Sequence, residues 1–381
     1  MIMLFKRLTA WLIVFIIVLL GISEVPKMDL LKYDSYSLQT YMLPVWEGDT
    51  VYNETVMFVR NEDGSLDPAP LLYHADEILS VRSYDLKTEY VQGVDYNLVD
   101  GCIVLTENSS IYSWAYDEYY PPEYEEGTCF EREGGGYIFF QESPKISMSQ
   151  VAVTYRHSDP WYGIVPENQA EKLPSVTQKL KNNEPVSILF YGDSITVGCS
   201  ASSLLRIEPD APIWPVMIVE KLRDYYGNDN IEYINTSVGG TASGWGLENV
   251  DERVNAYNPD LVVLAFGAND VRTTPLKYSN NIKKIINSCR DKNPDVEFIL
   301  VSPQHTNKEV RGFYGNQYSF EEMLTLLSLN TEGTAVAPVW SVHTNILNHK
   351  RYYDTSANNV NHVNDFMSRV YAQTVSALLV E

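Results

Sequence analysis

The sequence predicts an α/β domain built on a doubly wound parallel sheet, preceded by an all-β sandwich. Two observations carry this. From residue 186 onward, short and nearly continuous apolar runs alternate with helix-compatible stretches, as in strands buried on both faces of a parallel sheet. Before residue 165 the runs are short or alternating, are punctuated by Asp-Gly turns, and are interrupted by no long amphipathic helix. The chain therefore reads as an export element at 1–26, a sandwich at 30–165, a connector at 166–185 and an α/β domain at 186–381.

The first element places Lys6 and Arg7 ahead of an uncharged, mostly apolar run from Leu8 to Ser23. Those 16 residues exceed the roughly 7 to 15 of a signal-peptide core and fall short of the roughly 20 of a bilayer helix. A cleaved signal peptide or an N-terminal membrane anchor is expected, with the remaining chain outside the membrane. In the β region, "TVMFVRNEDGSLDPAP", "ILSVRSYDLKTEYVQGVDYNLVDGCIVLT", "GGGYIFFQ" and "SQVAVTYRH" supply the strands. The acidic, Tyr-rich "YSWAYDEYYPPEYEEGT" is read as a loop that covers a sandwich edge or offers rings for stacking on sugars. The α/β strands are "VSILFYG", "IEYINTS", "PDLVVLAFG", "VEFILVSP" and "TAVAPVWS", with helices at "WPVMIVEKLRDYYG", "SNNIKKIINSCRDKNP" and "DFMSRVYAQTVSALLV".

The 381 residues carry 28 Lys and Arg against 50 Asp and Glu, a net charge of -22 that repels phosphate backbones and makes nucleic acid a poor partner. Cys102, Cys129, Cys199 and Cys289 form no CxxC pair and have no His at ligand spacing, so neither a metal nor another cofactor is expected. Free thiols are the simpler reading, a Cys102–Cys129 disulfide the alternative.

Chemistry belongs at the carboxyl ends of the strands in such a domain. There "YGDSITVG" sets Asp193 and Ser194, "NTSVGGTASG" sets Gly239 and Gly240, and "FGAND" sets Asn269. His362 stands in "NNVNHVND" before the last helical stretch. A hydroxyl, a glycine amide, a side-chain amide and an imidazole are what acyl transfer needs: a nucleophile, oxyanion donors and a base. Ser194 would attack and His362 would take its proton. The Ser194 N–H, the Gly240 N–H and the Asn269 side chain would receive the oxyanion, each donor worth about 3 kcal/mol. Asp193 would fix the turn. Trp245, in "SGWG", would wall the pocket or pack in the core. His305 would sit near the substrate or in the structure, and the remaining histidines would be structural or on the surface.

In that order, "GDSI", the glycine of "NTSVGGT", "GAND" and the late His resemble the four blocks of the SGNH (GDSL-type) hydrolases. The likeness covers about half the chain. It implies a flavodoxin-like sheet, with Ser194 as nucleophile, Gly240 and Asn269 as oxyanion donors and His362 as base. The family's acid stands three residues before the His, and here that position is Asn359. Asp354 folding back, Asn359 itself or a backbone carbonyl would orient the imidazole, unless the enzyme is inactive. Asp365 is assigned to the start of the last helix.

These readings suggest an exported serine esterase that cleaves a small acyl group, acetyl first, from carbohydrate without a metal. The arrangement resembles carbohydrate esterases that carry a β-sandwich ahead of an SGNH domain. A lipid or thioester hydrolase, a polysaccharide acyltransferase and a noncatalytic glycan-binding protein are the alternatives.

Overall fold

Five parallel strands, joined in sequence by helical connections, make the sheet on which the second half of the chain is built. They are β9 (Val186–Gly192), β10 (Ile231–Asn235), β11 (Leu261–Ala265), β12 (Glu297–Val301) and β13 (Thr334–Ala337), in spatial order β10-β9-β11-β12-β13. Counted within the domain this is the 2-1-3-4-5 order of flavodoxin-like sheets, whose switch point lies between the first and third strands. The computed structural model describes residues 37–380. The apolar run from which export is expected lies outside the described residues.

The two edges of the sheet differ in burial. The strands β11, β12 and β13 are buried throughout, as their unbroken apolar runs require, while the edge strand β10 is half-buried beyond Ile231. The run expected as strand "TAVAPVWS" stops at Ala337, because Pro338 cannot extend the ladder, and a helix begins at Val339.

The helices that matter for the site are α1 (Pro174–Lys181), α2 (Ser194–Val197), α3 (Trp214–Tyr226), α4 (Ser243–Glu248), α5 (Pro275–Arg290), α6 (Val339–Leu347) and α7 (Asp365–Ser376). The stretch expected as a connector contains α1, whose Val176 and Leu180 are fully buried in the α/β core. The N–H groups of Ser175 and Val176, at its first turn, bind the Glu297 carboxylate at 2.9 Å each.

In the N-terminal region, β1 (Thr50–Met57), β2 (Ala75–Ser83), β3 (Glu89–Tyr90) and β8 (Gln150–His157) form an antiparallel sheet ordered β1-β8-β2-β3. Two ribbons accompany it, β4 (Tyr96–Val99) with β5 (Cys102–Leu105) and β6 (Cys129–Glu131) with β7 (Tyr137–Phe139). Asp100 and Gly101, both at positive φ, make the two-residue turn expected between β4 and β5.

The antiparallel strands are as read, but the second layer differs from the sheet a sandwich would supply. Nearly every residue of β1 and β8 is buried, without the polar-out alternation of a half-solvated sheet. The α/β domain covers this sheet. The Thr55 hydroxyl donates to the Asp354 carbonyl at 2.6 Å, the Met57 N–H to the Asp354 carboxylate at 2.8 Å, and the Gln150 amide to the carbonyls of Tyr353 and Ser356. Lys350 forms a fully buried ion pair with Glu54 of β1. One apolar core runs from Val56, Val153 and Tyr155 into Trp214, Phe366 and Val370. Helix α7 lies between the two regions and is buried on all sides, and polar residues within it find partners there, as where Gln373 donates to the Tyr41 carbonyl and Thr374 to the Val370 carbonyl. All four cysteines are free thiols.

Candidate active site

The end of β9 makes a sharp turn into α2. Gly192 is required there: a Cβ would stand 2.3 Å from the Ala265 carbonyl oxygen and from Thr196 Oγ1, where β9 and β11 approach. Asp193 caps α2 by accepting the Ile195 N–H at 3.0 Å, as expected of a turn-fixing residue. Its carboxyl is buried, and burial pushes it up to about 7. Ser194 is thus the first residue of α2, its N–H among those a helix leaves unpaired.

The loop after β10 returns over this turn. A Cβ on Gly239 would lie 3.6 Å from the Ser194 Cβ, and Gly240 follows at φ +75°, in the left-handed region. Asn269, after β11, donates its side-chain amide to the Thr241 carbonyl at 2.9 Å, which joins the third strand end to the Gly240 loop. The neighbouring Asp270 accepts from the Ser243 N–H at 2.9 Å and from its hydroxyl at 2.7 Å, a second tie across the same gap. Sequence reasoning missed Asp270. Trp245 packs 6.3 Å from Tyr191 and under the Arg253 guanidinium, on the core side.

His362 arrives on a loop built from its asparagines. The Asn358 side-chain oxygen accepts the N–H groups of Val360, Asn361 and His362 at 3.0, 3.0 and 2.9 Å. Asn364 caps α7 through the Met367 N–H and also donates to the Asp354 carbonyl. The Ala357 N–H and the Ser356 hydroxyl both donate to the His362 carbonyl. The ring is thereby presented with Nε2 3.0 Å from Ser194 Oγ, so the structure brings together the serine and the histidine singled out in the sequence.

Of the expected orienting groups, neither Asp354 nor Asn359 reaches the ring, and the partners at Nδ1 are side chains rather than a backbone carbonyl. The Asp354 carboxylate is spent on the N–H groups of Met57 and Arg351 at 2.8 and 3.1 Å, closing the α/β domain onto β1. Its burial raises it to about 6. Asn359, at φ +69°, accepts from the Tyr119 hydroxyl and donates to the Phe139 carbonyl, facing the N-terminal region. Asp365 opens α7 as expected and accepts the Ser202 N–H at 3.0 Å.

The acid comes from elsewhere. Glu142, three residues past β7 in the N-terminal region, places Oε2 3.0 Å from His362 Nδ1. Asn358 donates to its other oxygen at 2.9 Å, and the Ser200 hydroxyl lies 3.2 Å from Nδ1 and 3.5 Å from Oε2. Partial burial pushes this carboxyl up, but the His362 imidazole and the hydrogen bonds from His362, Asn358 and Ser200 outweigh it and hold Glu142 below the usual range. A carboxylate only accepts, so it fixes the proton on Nδ1 and leaves Nε2 to accept from the Ser194 hydroxyl. No local spacing could have disclosed this partner, which lies 220 residues upstream of the histidine.

His305 stays away from this row. It is buried, stacked on Trp340 with ring centroids 3.6 Å apart and bonded to Thr344 at 2.7 Å, and burial lowers it to about 4. A hydroxyl, an imidazole and a carboxylate in line, beside a helix N-terminus and a glycine turn, can move a proton off the hydroxyl and neutralise a developing oxyanion.

Residues 190–366 match the family described as GDSL-like lipase/acylhydrolase. An arylesterase of Vibrio mimicus is 27% identical over 159 residues, which span 40% of this chain and 75% of that protein. Among solved structures, a catalytic mutant of an acetylxylan esterase from Geobacillus stearothermophilus aligns at TM-score 0.42 and 16% identity, over 50% of this chain and 92% of that one. A two-domain esterase active on acetylated mannans, co-crystallised with mannopentaose, aligns at 0.44 and 16%, over 57% and 55%. Residues 190–366, with the serine, glycine and asparagine blocks following three strands of a 2-1-3-4-5 sheet and the histidine before the last helix, match the GDSL-like lipase/acylhydrolase (SGNH) domain.

Proposed function

We propose that this protein is an exported serine esterase that removes small acyl groups, acetyl first, from carbohydrate. The observation that carries the chemistry is the unbroken contact from Ser194 Oγ through His362 to Glu142. Ser194 Oγ attacks the acyl carbon while His362 Nε2 takes its proton. The oxyanion is received by the N–H groups of Ser194 and Gly240 and by the Asn269 amide. His362 returns the proton to the leaving alcohol oxygen, and water repeats the sequence to free the acid. Glu142 holds the ring in the useful tautomer and offsets the charge of the imidazolium, the part that Asn359 and Asp354 were expected to fill.

The carbohydrate assignment is supported by the Tyr-rich loop that precedes the β6–β7 ribbon. Its Tyr124 lies 5.7 Å from Tyr137 of β7 and is 57% exposed. Exposed aromatic rings suit the faces of sugars. Export rests on Lys6, Arg7 and the apolar run after them, with cleavage or anchoring as its two forms.

Purified protein is expected to release acetate from acetylated xylan and from a chromogenic acetyl ester, and to slow as the acyl chain lengthens. Ser194→Ala should lose about six orders of magnitude in kcat. Full activity in that variant would sink the mechanism, and faster turnover on long chains would favour a lipid substrate.

A further inference from the structure

Glu142 is carried by the N-terminal region, yet the groups that hold its carboxylate all belong to the α/β domain. His362 Nδ1 and Ser200 Oγ meet Oε2, and Asn358 Nδ2 meets Oε1. We infer that Ser200, Asn358 and His362 form a carboxylate-receiving site, filled by Glu142 in the intact chain and able to take a small free carboxylate when that side chain is cut back. The inference rests on the catalytic reading of Ser194, His362 and Glu142.

Each donor is positioned without help from the acid. Asn358 is fully buried, and its oxygen is engaged by three backbone N–H groups, so its amide nitrogen has one direction left. A second acceptor, Asn361 Oδ1 at 3.2 Å, lies on the same side. Ser200 is held at φ +71°, a region that costs a non-glycine residue free energy and that gathers at functional sites. The turn before it is closed by the Cys199 N–H on the Ser194 carbonyl at 3.0 Å, so the strained residue belongs to the turn that also presents the serine. His362 is fixed by its asparagine loop. The Glu142 side chain is 42% exposed, so the place it occupies opens to solvent. Ser200 and Asn358 act through the acid and are positioning residues.

The test is chemical rescue in the full chain. Glu142→Ala should be slow on a chromogenic ester, and sodium formate, but not sodium chloride at equal ionic strength, should restore the rate saturably. A gain of about tenfold or more is expected, the size an opposite charge beside an ionising group supplies. Adding Ser200→Gly should raise the formate concentration needed for half recovery while leaving Tm unchanged or higher, because glycine relaxes the left-handed backbone. A merely structural role would move Tm and activity together. A slow Glu142→Ala variant that ignores formate, or a rescue indifferent to Ser200→Gly, would overturn the receiving site. Imidazole nitrogen resonances of His362 give a readout independent of turnover. Formate should shift them in Glu142→Ala, and their failure to move would also overturn the site. Full activity in Glu142→Ala without formate would instead overturn the catalytic reading, with the receiving site then decided by the nitrogen shift alone.

Discussion

The two regions contribute to the site in opposite ways. The α/β domain delivers Ser194, Gly240 and Asn269 from the ends of adjacent strands β9, β10 and β11, so sheet order alone brings them together. The N-terminal region delivers a single side chain, Glu142, from an irregular stretch after a two-stranded ribbon. That ribbon is itself fastened to the α/β domain. Arg311 donates its N–H to the Glu131 carbonyl at 2.9 Å, Glu133 donates to the Glu309 carbonyl at 2.7 Å, and Arg132 pairs with Glu309 at 3.1 Å. A parallel sheet builds a site by periodicity. A second region adds to it only by docking, and here that docking engages the buried polar groups Thr55, Gln150, Lys350 and Asp354.

The largest effect that separates the regions is on turnover. Glu142→Ala should lower kcat/KM by about three to four orders of magnitude, as removal of a triad acid does, with the fold intact by circular dichroism. Asp354→Asn should do the reverse, lowering stability through its bonds to Met57 and Arg351 while leaving kcat/KM within about a factor of three. If Asp354→Asn proved the slower enzyme, the division of labour drawn here would be wrong.

How far the sequence could be read follows the same line. The five strands, their parallel arrangement and the serine and histidine of the site were legible because apolar runs alternate with helical stretches and the motifs stand at strand ends and before the last helix. The order of the strands was implied by the family resemblance. Asn359 was an expected orienting group because a motif counts residues along the chain, whereas the carboxylate at Nδ1 arrives through space. Nothing in "FFQESPKI" marks Glu142, which reads as an ordinary surface residue between a strand and a turn. The sandwich was expected because short strands with Asp-Gly turns usually pair two sheets. The near-continuous burial of β1 and β8 shows in the structure that something other than water covers both faces, which the polar Asn53, Glu54 and Thr55 of β1 did not disclose in the sequence. The asparagines around His362 are capping and turn residues, a role that type and spacing suggest only once the loop's path is known.

The next effect tests whether the regions fold as one. Lys350 and Glu54 are both fully buried, and Glu54 also accepts from the Leu72 N–H at 2.9 Å and the Tyr155 hydroxyl at 2.7 Å. Lys350→Met leaves that carboxylate without its cation and should cost about 3–5 kcal/mol in urea unfolding. Because one apolar core spans both regions, the protein should still unfold in a single transition when followed by far-UV and by tryptophan signals. Two separated transitions in the unmodified protein would break the comparison at its root.

The smallest effect has the most specific sign. Glu142 is held below the ordinary carboxylate range, so in acid the unfolded chain binds a proton there that the folded chain does not. Its contribution is present above the unfolded value of about 4.3 and is lost as pH falls through the lower folded value. The stability gap between the unmodified protein and Glu142→Gln should therefore shrink as pH drops below that point. Because the side chain is 42% exposed, solvent screens the interaction and the gap stays under about 1 kcal/mol. Asp354 carries the opposite slope. Burial raises it to about 6, so the folded chain binds the extra proton between about pH 4 and 6, and the advantage of aspartate over asparagine declines as pH rises through that window. Unfolding both variants across pH 3 to 8 compares the two carboxylates directly, and slopes of the same sign would mean that Glu142 is not held by the histidine and its neighbours.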